Sequence, residues 1–394
     1  MKPIKKIALL AVGDSSWQGG IQYIINIIRA IDQVSEKGAV EVHLFKNERQ
    51  IFPEFNLQNI QLTTLLVDDI LNPFSLVNRV IWFFQRKVKG RINPRYENYL
   101  LKSKFDFVFP ALLSDCGGRL NSAAWIADFQ YHHFPDGHNK ETTIQAEKTI
   151  GAIARTAKKI VFSSNFCERD ADKLFPQTVG KSFVMPFAVY IPPAHLQSTY
   201  LQIARDKYQI TGAYLMVSNL FAATKNHKTL FEALGILRKQ GLKINLVCTG
   251  NIINHTDLDF ANQILQMITD NGIRDQLYLL GLIPRDHQVA LYRMATALVQ
   301  PSVNEGWSTL VEEAKALGKN ILLSDIPVHR EQMPHNPYFF ESLNSVLLAS
   351  KIKEVYVTFG DQAFPNRQIE ENALHNYRNN LVEFGNTFIS IASK

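Results

Sequence analysis

Cysteine is scarce in this chain: Cys116, Cys167 and Cys248 are the only three in 394 residues, odd in number and far apart. No CxxC pair occurs, so neither a disulfide framework nor a structural zinc is expected, and a reducing cytoplasm fits best. Long apolar runs are missing too. Nothing approaches the ~18 apolar residues that would span a bilayer. The apolar part of MKPIKKIALLAVGDSS is about eight residues long and ends at glycine, so it reads as a first β-strand and not as a signal peptide. Zinc-finger spacing, helix-turn-helix and basic-aromatic recognition motifs are absent, which argues against a nucleic-acid partner. GxGxxG is absent as well, and so is any low-complexity tract. What remains is a globular composition with 42 Lys and Arg against 36 Asp and Glu, a net charge of +6 that suits phosphorylated ligands or anionic membrane surfaces.

Short runs rich in Val, Ile and Leu alternate with helix-length segments. KIALLAV (6–12), VEVHLF (40–45), FDFVFPAL (105–112), AAWIADF (123–129) and KIVFSS (159–164) read as strands of a first unit. AYLMVS (213–218), INLVCTG (244–250), LYLLGL (277–282), ALVQPS (297–302) and NILLSD (320–325) read as strands of a second. Runs without polar alternation, separated by helices, indicate parallel sheets covered on both faces. The expected architecture is α/β: two facing Rossmann-like domains, 1–190 and 200–370, with a ligand cleft between them. A terminal helix over 371–394 either stays on the second domain or crosses back to the first.

The stretch VNEGWSTLVEEAKALGK (303–319) follows the carboxyl end of ALVQPS. Thr309 with Glu312 three residues later is a capping-box pattern, which predicts a helix from Leu310 with Glu312 reaching back to the Thr309 amide, closed by Gly318. Leu310, Ala314 and Leu317 form its buried face, and Glu313 lies on that same stripe. A carboxylate there needs hydrogen bonds, or its desolvation costs roughly several kcal/mol. A backbone amide or an arginine would satisfy it, and so would ligand hydroxyls. Glu305 would approach such a ligand from the same side, while the amides of Gly306, Trp307, Ser308 and Thr309 at a helix start attract phosphate. Carboxylates for hydroxyls and amides for phosphate together describe a sugar nucleotide.

The segment NEGWSTLVEEAKALGKNILLSDIPVHREQ resembles the donor-binding signature of the retaining glycosyltransferases of family 4, the group 1 transferases, which have the GT-B fold. Their pattern is Glu, seven residues, Glu, a helix with small residues, a glycine and a strand ending in Ser-Asp; Glu305 and Glu313 match it, and Glu312 does not. The resemblance implies that Glu305 contacts the donor sugar, that Glu313 takes the ribose hydroxyls, and that backbone groups around Trp307–Leu310 meet the sugar and diphosphate. It covers about 210–335 well and the N-terminal half more loosely. Where the family carries Gly-Arg and then a lysine as a diphosphate clamp, Lys225 matches the lysine in TKNHKTL. The arginine is missing, and Asn219 stands in its neighbourhood with a hydrogen bond to offer.

Gly19 and Gly20 open a helix after the first strand, where amides without a Cβ can approach a phosphate or sugar; the family has a similar pair. WIADFQYHHFPD (125–136) carries Asp128, His132, His133 and Asp136, but its spacing is not that of a metal site, so no metal is expected. Its resemblance to an Asp-Phe-Gln-His stretch of the family makes Asp128 and His133, with His132, candidates for orienting the acceptor or touching the transferred sugar. In 74–104, Ile81, Trp82, Phe83 and Phe84 lie beside Arg86, Lys87, Lys89, Arg91 and Arg95, a composition that suits peripheral contact with an anionic membrane presenting a lipid-linked acceptor, as well as a packed helix with a solvated basic end. The expected function is transfer of a sugar from a nucleoside-diphosphate sugar to a glycan or lipid-linked acceptor, without cofactor, in the cytoplasm. A sugar-nucleotide epimerase of the same fold and a non-catalytic sugar-nucleotide or glycan-binding protein are the alternatives.

Overall fold

The apolar run KIALL forms β1 (Lys6–Leu10), and its buried residues place it inside a parallel sheet. With β2 (Glu41–Lys46), β3 (Gln61–Leu66) and β4 (Phe107–Phe109) it makes four strands in the order β3-β2-β1-β4. A second sheet follows with β5 (Ala124–Ile126), β6 (Ile160–Phe162) and β7 (Ser182–Val184), and an isolated parallel bridge joins Val108 of β4 to Ser122 just ahead of β5. The helix Gln18–Val34 buries Ile21, Ile24, Ile28 and Ile31, spaced as one helical face. Asp32 on this helix accepts the amides of Asn59 at 2.7 Å and Ile60 at 3.1 Å, which fixes the entry to β3.

The computed structural model describes residues 4–394 except 14–16, 68–93, 112–118, 136–139, 252–257, 361 and 363. The strands above belong to a first unit comprising Met1–Tyr131, His138–Tyr190 and Asn379–Lys394; the second comprises His132–Gly137 and Ile191–Arg378. The terminal helix Arg367–Ser393 is thus shared by both. In the first unit its Phe388 meets the rings of Phe107 and Phe109 edge-on, and Gly385 brings its backbone against Ala30.

The second unit holds one six-stranded parallel sheet: β8 (Tyr214–Ser218), β9 (Asn245–Thr249), β10 (Leu277–Gly281), β11 (Ala297–Gln300), β12 (Ile321–Ser324) and β13 (Pro337–Phe340), in the order β10-β9-β8-β11-β12-β13. Its core joins Leu215, Val217, Leu246, Val299 and Leu322 of the strands to Leu230, Leu234 and Ile352 of the covering helices, each fully buried and worth roughly 1.5–3 kcal/mol. The chain runs outward from β8 through β9 to β10, then restarts at β11 on the other side. That reversal opens a crevice at the carboxyl ends of β8 and β11, where ligands of doubly wound sheets bind.

Three strands escape the apolar-run criterion. β3 has only half-buried and exposed positions, β7 is three half-buried residues, and β13 begins with proline at a sheet edge, where a missing N–H is tolerated. Residues 74–93, which carry most of the expected membrane contact, lie outside the described residues; the rest forms the helix Pro94–Lys102. No helix of the described residues is long and apolar enough to cross a membrane.

Candidate active site

The carboxyl edge of the second unit's sheet is wired by side chains. Asn219, just beyond β8, donates to Gln300 Oε1 at 2.7 Å across the crevice between β8 and β11. Gln300, the last residue of β11 and fully buried, turns its Nε2 to Glu305 Oε1 at 2.9 Å and to Ser308 Oγ at 2.9 Å. Lys225 Nζ reaches the same Glu305 oxygen at 2.5 Å. Three residues marked by sequence, Asn219, Glu305 and Ser308, therefore meet through Gln300, which was not marked, and Lys225 joins them through Glu305. A polar residue ending an otherwise apolar, fully buried strand was the signal that could have found it.

Backbone features hold the loops that carry these groups. Lys225 closes a single 3-10 turn, Ala223–Lys225. Asn226 follows in the left-handed region at φ 52°, where its side chain donates to the carbonyls of Pro301 at 3.0 Å and Ser342 at 2.6 Å. Val303 N donates to Thr224 O at 2.9 Å, so the loops after β8 and β11 are bound directly. Gly250 sits at φ +120° with the Asn219 carbonyl where a Cβ would stand, so only glycine lets the β8 and β9 ends approach this closely.

Glu313 projects from the helix Thr309–Leu317 and is buried, as its place on the apolar stripe requires. Its ion partner is Arg285, the first residue of the helix Arg285–Met294 beyond β10. Among the ways of satisfying this carboxylate, the described structure uses the arginine. Arg285 also donates to Gln288 Oε1 at 2.7 Å, Gln288 donates to Ser218 Oγ at 2.6 Å, and Thr249 donates to the same hydroxyl at 2.7 Å.

The capping box does not form. Glu312 is buried, and its carboxylate accepts from Gln332 at 3.0 Å, Lys315 at 3.1 Å and the Tyr377 hydroxyl at 2.7 Å. Ser308 is the N-cap, its hydroxyl is engaged by Gln300, and its N–H donates to Gln332 Oε1 at 3.1 Å. Of the amides expected to be open at this helix start, that of Ser308 is therefore occupied. Gly318 ends the helix at φ 63°, in the left-handed region.

Two buried histidines flank the Lys225–Glu305 pair. His329 Nδ1 lies 2.8 Å from the Ser324 carbonyl, which can only accept, so this nitrogen carries the proton. Its Nε2 is left without a partner among the described residues, as are Ser302 Oγ and Asn304 Oδ1 in the loop after β11. Burial brings His329 down to about 4, against the pull of Glu305 and with a push from Lys225. His227 stacks on Phe221 at 3.9 Å, and burial, with Lys225, brings it down to about 3. Both rings are neutral near pH 7.

In the first unit Gly19 and Gly20 lie in the opening turn of the helix Gln18–Val34, Gly19 exposed and Gly20 buried. A Cβ on Gly20 would come within 2.9 Å of the backbone of Val12 and Gly13, so this glycine serves a close approach of helix and loop. Asp128 Oδ1 accepts the Gln130 amide at 3.2 Å and so steadies the short helix Gln130–His133. His132 and His133 are exposed at its end with rings 5.3 Å apart, and Asp136 lies outside the described residues. Asp128 belongs to the first unit and the two histidines to the second. Among the described residues no three His, Cys, Asp or Glu side chains come together as a metal site.

With this geometry in hand, the chain can be set beside known proteins. It is 30% identical over 352 residues to the O-antigen chain mannosyltransferase RfbU of Salmonella typhimurium, covering 86% of this chain and 88% of that one. The profile described as Glycosyl transferases group 1 matches residues 204–369, the part that contains the wired edge. The chain belongs to the group 1 glycosyltransferases. An Escherichia coli O-antigen chain mannosyltransferase B is 22% identical over 60% of this chain and 61% of its own length. Among solved structures, a glycosyltransferase from Rickettsia africae superposes with TM-score 0.68 at 17% identity over 100% and 98% of the two chains. HepE of Anabaena, crystallised with UDP and glucose, gives 0.64 at 14% over 99% and 100%. The fold of this group 1 transferase is GT-B.

Proposed function

We propose that this group 1 transferase is a retaining, metal-independent enzyme that moves mannose from a nucleoside-diphosphate mannose to a glycan or lipid-linked acceptor in polysaccharide synthesis. The observation that carries the reading is the Lys225–Glu305 pair, held by Gln300 at the crevice where the sheet reverses direction. On this reading the bond from the sugar C1 to the β-phosphate oxygen breaks and a bond from C1 to an acceptor hydroxyl forms on the same face. The hydroxyl proton passes to the leaving diphosphate. Lys225 offsets part of the charge that develops on that diphosphate, a role a metal ion fills in metal-dependent transferases. Glu305 accepts hydroxyls of the sugar and Glu313 those of the ribose. The mannosyl assignment follows the relatives, which are transferases and do not favour an epimerase.

Thermal shift against UDP-, GDP-, ADP- and dTDP-sugars, with mannose and glucose compared on each base that binds, tests the donor. Anomeric analysis of the product tests retention. Lys225→Ala is expected to lower transfer at saturating donor by about 10²–10³-fold, the scale set by losing one preorganised donor to developing charge; Glu313→Ala should raise the donor KM. Transfer at wild-type rate and affinity in both variants would overturn the site. For membrane contact at the cytoplasmic face, the support is the basic-aromatic composition of 74–104. Neutralising Arg86, Lys87 and Lys89 should abolish flotation with anionic liposomes, and unchanged flotation removes that part of the proposal.

A further inference from the structure

The carboxyl edge of the second unit carries two ion pairs and not one. Lys225 with Glu305 sits where β8 and β11 part, and Arg285 with Glu313 sits at the end of β10. A continuous chain of contacts joins them: Arg285 to Gln288, Gln288 to Ser218, and, from the next residue, Asn219 to Gln300 and Gln300 to Glu305. The four charges cancel. Each carboxylate is almost wholly buried, whereas about a quarter of each cation's side chain is open, 26% for Lys225 and 28% for Arg285. Of each pair, then, it is the cation's side chain that reaches the surface of this edge.

A nucleoside-diphosphate sugar has polyol rings on either side of a dianionic bridge. Binding it exchanges partners pairwise: hydroxyls satisfy the two carboxylates, and phosphate oxygens take over the two cations without stranding a charge. Lys225 alone leaves the diphosphate under-neutralised, and Asn219 beside it brings no charge. We propose that Arg285 is the second cation of the donor diphosphate site, drawn from its pair with Glu313 to the phosphates when the ribose occupies that carboxylate. The inference rests on the donor reading above and adds to it a residue outside the Glu-seven-Glu signature. Its guanidinium presents parallel donors that match a phosphate.

Calorimetry with the full chain separates the two claims. UDP, GDP, ADP and dTDP are titrated first, then the monophosphate and the nucleoside of whichever base binds. Arg285→Met alone would leave the Glu313 carboxylate buried without its cation, so Arg285→Met with Glu313→Gln is compared with Glu313→Gln alone. Loss of a charge-assisted contact should weaken the diphosphate by about 10- to 100-fold and the nucleoside by less than about threefold. Arg285→Gln, which keeps a donor for Glu313, gives the same comparison should the double variant not fold. Equal losses for diphosphate and nucleoside, or no loss, overturn the role of Arg285 and leave the donor reading standing. A wild type that binds none of the four diphosphates overturns the donor reading itself.

Discussion

The carboxyl edge of the second unit and the opening turn of the first solve one problem in opposite ways. Both must bring a helix start and a loop against the end of a parallel strand. The second does so with side chains: Gln300 alone ties Asn219, Glu305 and Ser308, and Asn226 binds two loops by their carbonyls. The first does so by omission, since Gly20 leaves out the atom that would collide with Val12 and Gly13, a device the second edge uses at Gly250 alone beside its many polar ties. Removing a polar group should therefore be costly at one edge, and adding a methyl should be costly at the other.

Acid should widen this contrast most. His227 and His329 are held neutral in the second unit, with pKa values near 3 and 4 against about 6.5 in an unfolded chain. The unfolded state takes up protons first as pH falls, so stability is fully present above about pH 6.5 and is lost as pH falls toward 4. The loss amounts to roughly 3 kcal/mol per ring over that window. His329→Gln keeps a donor for the Ser324 carbonyl, and His227→Phe keeps the stack on Phe221. Urea unfolding at about pH 7.5 and pH 4.5 should show each variant losing less stability than the wild type. Equal losses in all three proteins would mean that neither ring is held in its neutral form.

Much of the second edge was legible because its residues are of unusual type at fixed spacing. A glutamate on an apolar stripe, a second one eight positions earlier and a lysine after a strand are visible in one dimension. Their partners are not. Arg285 faces Glu313, and Gln300 bridges to Asn219, only because β8 separates β9 from β11, and sheet order is not written in any local run. Glu312 shows the converse error. Local pattern assigned it to the Thr309 amide, but Gln332, Lys315 and Tyr377 offer three donors inside the core, and tertiary hydrogen bonds outweighed a solvent-side cap. β3 was missed because an edge strand can mix polar residues into its run, as QLTTLL does, and β13 because its four residues open with proline.

The smallest effects decide whether the glycine pair is a ligand feature or a packing one. An alanine at Gly20 forces backbone to shift, because the new Cβ would sit 2.9 Å from main-chain atoms of residues 12 and 13. Overpacking of this kind costs about 1–3 kcal/mol. At Gly19 the nearest atom is Nε1 of the half-exposed Trp17 side chain, 3.1 Å away, which can turn aside. Alanine also favours the helix by up to about 1 kcal/mol over glycine, so Gly19→Ala should leave stability within about 0.5 kcal/mol of the wild type. If both amides served a phosphate or sugar directly, Gly19→Ala would lose transfer although it keeps its stability. The packing account expects Gly20→Ala to lose stability and Gly19→Ala to keep both stability and transfer, and thermal unfolding beside initial rates tells the two accounts apart.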